Sequence, residues 1–378
     1  MNDLVLKGGR VIDAAQALDR VTDVGFAGGK IAAIGDGLQG KDVRDVRGKI
    51  VTPGLIDLHT HVYWGGTSLG VAAEPLARAG AVTTFVDAGS AGAGNFHGFR
   101  AHVIEPSPVR ILPYLNLSYP GIYAFSKTVM VGESADLRLL DMRECARVAH
   151  EHRDLILGIK VRVGRGTSDL TGIMPLQMAL EVAEEVGMPL MAHLDAPPPS
   201  RKEVLALMRP GDVLTHCFRP FPNAPSTGDG RVQEEVLEAR ARGVIFDIGH
   251  GGGSFGFKTT RAMIANGFLP DVISSDLHTL SIDGPAFDLV TTMSKFLVFG
   301  VDLPTIIKLA TLNAAKAMGK PELGTLKPGH VGEASILELR DGSFEYLDVI
   351  GEKVVGKQRI LAAGVVLGGK WWHPNPVS

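Results

Sequence analysis

Residues 51–61 read VTPGLIDLHTH, an apolar run of strand character that ends in two histidines. Successive side chains of a β-strand point to opposite faces, so His59 and His61 share one face, with Asp57 one step deeper. Two neutral imidazoles side by side at the end of an inward-facing strand are suited to binding a metal ion. An H-x-H pair alone also arises by chance on strand faces, so its meaning depends on the rest of the chain.

The middle of the chain, residues 52–324, alternates short apolar runs with stretches of helical spacing. Eight such runs follow one another, the first at 55–61 and the last at 272–276. Eight strands alternating with helices over roughly 270 residues are typical of a (β/α)8 TIM barrel of the α/β class. A doubly wound sheet would need a glycine-rich phosphate loop after its first strand, where this chain has the H-x-H pair. The sequence therefore predicts a barrel over 52–324.

Both ends of the chain differ from its middle, because short strand-like runs there are separated by glycine turns. Each end by itself would leave an apolar face exposed to water. Pairing the two ends would bury both faces. This predicts one small composite β-sandwich domain made from residues 1–51 and 325–378.

Four further polar residues interrupt or end later apolar runs: Lys160, His193, His216 and Asp276. The carboxyl ends of barrel strands converge on one mouth, where catalytic residues collect. Each residue taken singly could be a core polar group with an ordinary partner. An inward lysine and an inward aspartate are costly to bury without partners, and a pair of divalent cations would supply them.

With these residues in this order, the chain resembles the amidohydrolase superfamily of metal-dependent hydrolases. The run at 51–61 matches the first-strand signature of that superfamily, and GTLKPG at 324–329 is similar to its return from barrel to sandwich. The resemblance implies two divalent metal ions. The more buried ion would be held by His59, His61 and Asp276, and the more exposed one by His193 and His216.

The resemblance also implies that Lys160 is carboxylated by carbon dioxide and bridges the two ions. A free ammonium would be repelled by two cations, whereas a carbamate is an anion with two oxygens. Burial favours the neutral amine that this reaction requires. Imidazole and carboxylate ligands favour zinc, with cobalt, manganese or iron as substitutes.

Hydrolysis of an ester or amide carbonyl is the implied reaction. Two metal ions about 3.5–4 Å apart can share a water molecule and lower its pKa, so that a bridging hydroxide exists at neutral pH. Asp276 would take the proton and hand it to the leaving group. A role for Asp276 as a ligand alone is the simpler alternative.

The expected substrate is a small carboxylate-bearing molecule. The pattern is similar to the dihydroorotase-like branch, but those enzymes usually carry an arginine where this chain has Tyr63. KVRVG at 160–164 and DAGS at 87–90 resemble a deacetylase-like subgroup that acts on N-acetyl amino acids or O-acetyl hydroxy acids. A deacetylase is therefore the leading prediction, and a cyclic amidohydrolase of dihydroorotase or dihydropyrimidinase type is the alternative. A non-catalytic scaffold is a third hypothesis, although such proteins typically lose ligands and all six are present here.

Five residues near the predicted mouth are candidate substrate contacts: Tyr63, Ser90, Arg162, His250 and His278. Arg162 shares the face of Lys160 and could pair with a carboxylate, unless it forms an ion pair at the rim. Ser90 lies in a glycine-bearing loop whose N–H groups could cradle an anion, although an ordinary turn explains it as well. His250 could donate to a substrate oxygen, and His278 could orient substrate or water.

The composition argues against several other classes of protein. The 378 residues include 38 Lys and Arg against 41 Asp and Glu, so a net charge of −3 leaves no basic surplus for nucleic acid. Two cysteines argue against a disulfide framework and favour a reducing cytoplasm. No apolar run is long and uncharged enough to predict secretion or membrane insertion. A homo-oligomer stays an open expectation.

Overall fold

The computed structural model describes residues 1–372, so residues 373–378 of the predicted C-terminal segment lie outside the described residues. The described chain forms fifteen strands: β1 Asn2–Asp13, β2 Leu18–Ala27, β3 Lys30–Gly35, β4 Gly40–Asp45, β5 Ile50–Pro53, β6 Leu55–Thr60, β7 Val82–Gly92, β8 Arg110–Asn116, β9 Gly158–Val163, β10 Leu190–Leu194, β11 Val213–Leu214, β12 Ile245–Phe246, β13 Ala334–Leu347, β14 Lys353–Leu367 and β15 Lys370–Trp372. It also forms ten α-helices: α1 Ala73–Gly80, α2 Phe96–Phe99, α3 Met142–Glu151, α4 Met174–Val186, α5 Arg201–Leu207, α6 Glu234–Arg242, α7 Phe257–Ala265, α8 Leu289–Val298, α9 Leu303–Ala310 and α10 Leu312–Ala317.

Strands β6 to β12 form a seven-stranded parallel sheet in which neighbours in sequence are neighbours in space. Every residue of β6 and of β9 is buried. Parallel strands that are covered on both faces have continuous apolar runs of this kind, since helices pack on the outside. The sheet therefore brings the carboxyl ends of seven strands to one edge.

The segment 272–277 lies between the first and last strands of this sheet. Val272 forms a parallel bridge with Asp247, just after β12, and Leu277 forms a parallel bridge with Thr60 at the end of β6. The backbone N–H of Asp276 donates to the carbonyl of His59 at 2.7 Å. This segment therefore carries Asp276 to the carboxyl end of β6.

The remaining strands form a separate mixed sheet in the order β15-β14-β13-β5-β1-β2-β3, with β4 paired to β1. Strand β5 joins the two ends of the chain, because Val51 lies opposite Val11 of β1 on one side and opposite Ile336 of β13 on the other. These three side chains are at most 1% exposed and belong to the core of this sheet. The α/β class and the separate sheet built from both chain ends are thus confirmed.

Several helices begin at residues that satisfy their first free N–H groups. Ser200 caps α5 and exchanges hydrogen bonds with Glu203, a capping box, and Asp288 accepts from the N–H of Thr291 at the start of α8. Helix α8 is buried from Leu289 to Phe296, because it packs against β14 and also contacts α1 and α9. Among residues 1–372, no helix combines the length and apolar character needed to cross a membrane.

Candidate metal centre and active site

Three predicted ligands come together where β6 meets the segment 272–277. Nε2 of His59 lies 3.4 Å from Oδ1 of Asp276, and Nε2 of His61 lies 3.3 Å from the same oxygen. All three side chains are buried, and their ligand atoms lie within 4.8 Å of one another. The two-residue spacing of the H-x-H pair therefore places both imidazoles against one carboxylate.

The other three predicted ligands, Lys160, His193 and His216, lie close to these residues. The ring of His216 lies 5.0 Å from that of His59 and 4.4 Å from that of His193, the penultimate residue of β10. Lys160 on β9 is fully buried, and burial lowers the pKa of its amine to about 7 against the opposing effect of Asp276. A neutral amine is therefore accessible near neutral pH.

Hydrogen bonds fix the tautomers of three of the histidines. The hydroxyl of Thr215 donates to Asp247 at 2.7 Å, so its oxygen accepts from Nδ1–H of His59, also at 2.7 Å. Nδ1 of His216 lies 2.6 Å from the carbonyl oxygen of Gly249, which can only accept. In both rings the proton is on Nδ1, and Nε2 keeps its lone pair.

His61 has the same tautomer as His59 and His216. Its Nδ1 lies 2.9 Å from the hydroxyl of Ser90, which itself donates to Asp87. Burial lowers the pKa of His61 to about 3 and keeps the pKa of His193 well below its ordinary value. Metal-binding histidines are typically neutral, with Nδ1–H donating to a neighbouring group and the lone pair of Nε2 directed to the metal. The tautomers of His59, His61 and His216 match this arrangement.

Two of these residues have a strained backbone. His216 has φ of +64° and Asp276 has φ of +49°, in the left-handed region that residues with side chains rarely adopt. Both side chains line the same pocket. Such strain costs free energy and persists where the surrounding structure enforces it, as at functional sites.

The donor set fits a pair of metal ions. Among the described residues, Nζ of Lys160 and Nε2 of His193 are buried polar atoms with no hydrogen-bond partner. Buried polar atoms are almost always paired, so two such atoms in one site call for a ligand. Imidazole nitrogens together with carboxylate oxygens suit zinc and similar divalent cations.

Comparisons with known proteins agree with this geometry. The chain is 37% identical over 335 residues to a deacetylase of Agrobacterium fabrum, covering 88% of this chain and 82% of that protein. It is 30% identical over 374 residues to a deacetylase of Enterococcus faecalis, covering 97% and 98%. This chain belongs to the amidohydrolase superfamily. Within it, the amidohydrolase described here is a hydrolytic enzyme of the deacetylase and dihydroorotase-like branch.

Solved structures lead to the same family. The amidohydrolase superimposes on a structure titled dihydroorotase with a TM-score of 0.90 and 34% identity, covering 99% of each chain. A structure titled adenine deaminase gives a TM-score of 0.91 and 30% identity, covering 99% of this chain and all of that one. No protein-family model matches the chain.

Five of the six candidate ligands line a pocket of about 390 Å³: His59, His61, His193, His216 and Asp276. Two of the five predicted substrate contacts, Arg162 and His278, line this pocket. Nδ1 of His278 accepts from the N–H of Leu280 at 3.1 Å, and burial lowers the pKa of His278 to about 4. His278 is therefore neutral with its proton on Nε2, which makes it a hydrogen-bond donor.

The other three predicted contacts do not line this pocket. The hydroxyl of Tyr63 donates to the carbonyl of Asn95 at 3.1 Å, and its ring stacks on Phe99. Ser90 lies behind His61 and holds its Nδ1. His250 is fully buried, and its Nε2 lies 2.6 Å from Nζ of Lys295.

Sequence reasoning missed several residues that organise this site. Thr215 and Asp247 hold His59, and the hydroxyl of Ser274 donates to Asp247 at 2.6 Å. Glu133 pairs with Arg162, and Arg219 lines the pocket. Asp247 interrupts an apolar run in the same manner as Lys160, so the rule that found the lysine could also have found this carboxylate.

Thr215→Val is expected to weaken metal binding by about 10–100-fold, because valine keeps the volume of threonine but leaves Nδ1 of His59 without its partner. Competition with a coloured chelator measures the affinity. Thr215→Ser retains the hydroxyl and should bind metal nearly as well as the unmodified enzyme. Equal metal affinity for the valine and serine variants would contradict this role of Thr215.

Lys295 of α8 and His250 form a buried network, and neither side chain lines the pocket. Nζ of Lys295 lies 2.6 Å from Nε2 of His250 and 2.8 Å from each of the carbonyl oxygens of Pro285 and Leu347. Nδ1 of His250 is 2.9 Å from the carbonyl of Gly251. Both ring nitrogens of His250 are thus occupied by protein atoms, and the network ties the loop after β12 to β13.

Lys295→Met is expected to destabilise the folded chain, because it removes the donor of two buried carbonyls at about 1–3 kcal/mol for each group left unpaired. Burial lowers the pKa of Lys295 to about 7 from its ordinary 10.5. Between these values the unfolded chain binds more protons than the folded one, so the stability contributed by Lys295 rises with pH. Urea unfolding at pH 6.5 and pH 9 should show a larger destabilisation by the variant at pH 9.

The control for this substitution is Lys308→Met, which removes an exposed lysine from α9. It should change the free energy of unfolding little at either pH. A Lys295→Met variant as stable as the unmodified enzyme at both pH values would refute the role assigned to this network.

Proposed function

We propose that this amidohydrolase removes an acetyl group from small O-acetyl hydroxy acids or N-acetyl amino acids. The proposal is supported by neutral imidazoles in the pocket whose Nε2 atoms keep their lone pairs. The chain that holds them is 37% identical to a deacetylase. A volume of about 390 Å³ lies near the small end of the range for ligand pockets. This size favours a small acid over a peptide.

We propose further that the site holds two divalent metal ions, with zinc as the native metal. His59, His61 and Asp276 would hold one ion and His193 and His216 the other, with Lys160 carboxylated between them. The unpartnered Nζ of Lys160 and its lowered pKa support this role. A neutral amine that adds to carbon dioxide and releases one proton to water gives a carbamate, which would replace an uncompensated buried lysine by an anion between two cations.

Asp276 is the proton carrier of the proposed reaction. When bound, the metal ions polarise the substrate carbonyl and lower the pKa of water. The carboxylate of Asp276 accepts the proton of the attacking water and delivers it to the oxygen or nitrogen that leaves. The products are acetate and the free hydroxy or amino acid.

His278 is proposed to orient the substrate from the wall of the pocket. Its Nε2–H can donate to a substrate oxygen, and its ring packs edge-on against Phe125 at 5.5 Å. Arg162 lines the same wall, and its guanidinium lies 4.9 Å from the ring of Phe125. Ser90 is assigned to the support of His61, and Tyr63 and His250 to packing.

Acetate release tests the proposed function. The purified enzyme, supplied with Zn²⁺ and bicarbonate, is assayed against a library of O-acetyl hydroxy acids and N-acetyl amino acids, with metal content measured in the same sample. Release of acetate from members of this library is expected. Two bound metals per chain without acetate release from any member would reject the deacetylase proposal.

Opening of a cyclic amide is the second candidate, favoured by the 34% identity to a structure titled dihydroorotase. Tyr63 argues against this candidate. Dihydroorotases usually carry a carboxylate-binding arginine at this position, whereas Tyr63 donates a hydrogen bond to the carbonyl of Asn95. Dihydroorotate, dihydrouracil and hydantoin are therefore assayed beside the acetylated acids. Ring opening without acetate release would select this candidate.

For the architecture, we propose that the segment 272–277 acts as the eighth strand and closes a (β/α)8 barrel. The bridges of Val272 and Leu277 to the two edges of the parallel sheet support this closure. The division into a barrel, 52–324, and a composite sandwich, 1–51 and 325–378, is proposed with it, although β5 crosses the first boundary. A cytoplasmic location is proposed from the two buried free cysteines, Cys145 and Cys217.

A further inference from the structure

Two arginines line the pocket, and they differ in their charge partners. Arg162 is 6% exposed, and its Nε lies 2.9 Å from Oε1 of Glu133, which is 0% exposed. The N–H direction is poor for a hydrogen bond, but the distance makes a close ion pair. The charge of Arg162 is therefore already compensated inside the protein, at the cost of desolvating both groups.

Within residues 1–372, Arg219 has no carboxylate at ion-pair distance. It follows β11 three residues after His216, and one terminal nitrogen donates to the carbonyl of Leu194. Its Nε–H has no hydrogen-bond partner among residues 1–372, and none of the ion pairs within 4.0 Å in that range includes Arg219. The carboxylate acting on it electrostatically is Asp195, which accepts instead from the N–H of Gly166 at 3.2 Å.

Arg219 also lies close to the candidate metal ligands. It lines the same pocket as His193 and His216, and its charge acts on both imidazoles. A half-buried guanidinium without a carboxylate partner is costly, and a carboxylate delivered by a ligand would compensate it through charge-assisted hydrogen bonds.

We propose that Arg219, rather than Arg162, binds the carboxylate of the substrate and restricts this enzyme to acetylated acids. The inference rests on the proposed deacetylase function. Arg162 with Glu133 then forms a neutral, rigid part of the wall beside Phe125. Replacing the substrate carboxylate with a neutral group should therefore remove the contribution of Arg219 to substrate binding.

The test compares O-acetyl-lactate with its neutral N-methylamide in the metal-loaded enzyme. Arg219→Met is expected to raise KM for the acid by roughly 10–100-fold while changing kcat/KM for the amide less than about threefold. Arg219→Lys should recover part of the loss. Arg162→Met should reduce turnover of both compounds alike, because it leaves Glu133 buried without a partner.

The matched control is Arg231→Met, which removes a positive charge from an exposed ion pair with Asp229 and should leave both activities unchanged. Calorimetric titration of lactate into the unmodified enzyme and the Arg219→Met variant gives a second reading that needs no turnover. The inference would be overturned if Arg219→Met lowered kcat/KM equally for the acid and the amide. It would also be overturned if Arg162→Met, rather than Arg219→Met, impaired the acid more than the amide. If no acetylated acid is hydrolysed but lactate binding depends on Arg219, the deacetylase function fails and the carboxylate site stands.

Discussion

Asp276→Asn is expected to lower kcat by about 10²–10⁴-fold, because asparagine cannot accept the proton of the attacking water. Asparagine is the cleanest substitution at this position. Asp276 has φ of +49°, a conformation that asparagine tolerates better than alanine. Steady-state rates of acetate release, measured beside metal content, separate the loss of a proton carrier from the loss of a ligand.

The matched control for Asp276→Asn is Asp283→Asn, the same chemical change on an exposed residue a short distance along the chain. It should leave kcat unchanged. A variant at 276 that keeps its metals and retains kcat within about tenfold of the unmodified enzyme would mean that Asp276 acts as a ligand alone. The simpler alternative raised by the sequence would then hold.

Lys160→Met is expected to abolish most of the activity, by at least about 10³-fold, because two metal ions without a bridging anion repel each other. Methionine is apolar and of similar length, so a site with 0% exposure should accept it without unfolding. Elemental analysis should find fewer than two metal ions per chain. Equilibration with ¹³C-bicarbonate should give a carbamate carbon resonance in the unmodified enzyme that the variant lacks.

Lys308→Met serves again as the control, since it removes an exposed lysine and should keep both the resonance and the metal ions. Persistence of the carbamate resonance in Lys160→Met would assign the modification to another lysine. Two metal ions and full activity in that variant would reject the bridging role altogether.

The amino-acid sequence sufficed for the elements of this protein whose signal is local. Two histidines two residues apart on a strand must share a face, and the structure brings both against Asp276 at 3.4 and 3.3 Å. Alternating apolar runs indicated the parallel sheet, because strands covered on both faces need continuous apolar sequence. Polar residues at the ends of such runs, above all Lys160, were visible because burying them without partners is costly.

Contacts between distant segments were decided only by the tertiary structure. The sequence suggested that Arg162 was available to a ligand, yet Glu133 lies 29 positions earlier and compensates its charge. The sequence also suggested that His250 faces the substrate, but Nζ of Lys295, 45 positions later, lies within hydrogen-bond distance of its Nε2. Periodicity reports which face of a strand or helix a residue occupies, and it carries no information on which side chain from another element meets it there. Charge compensation and histidine tautomers depend on these contacts between elements. Both are set by atoms within about 3–4 Å in space rather than by spacing along the chain.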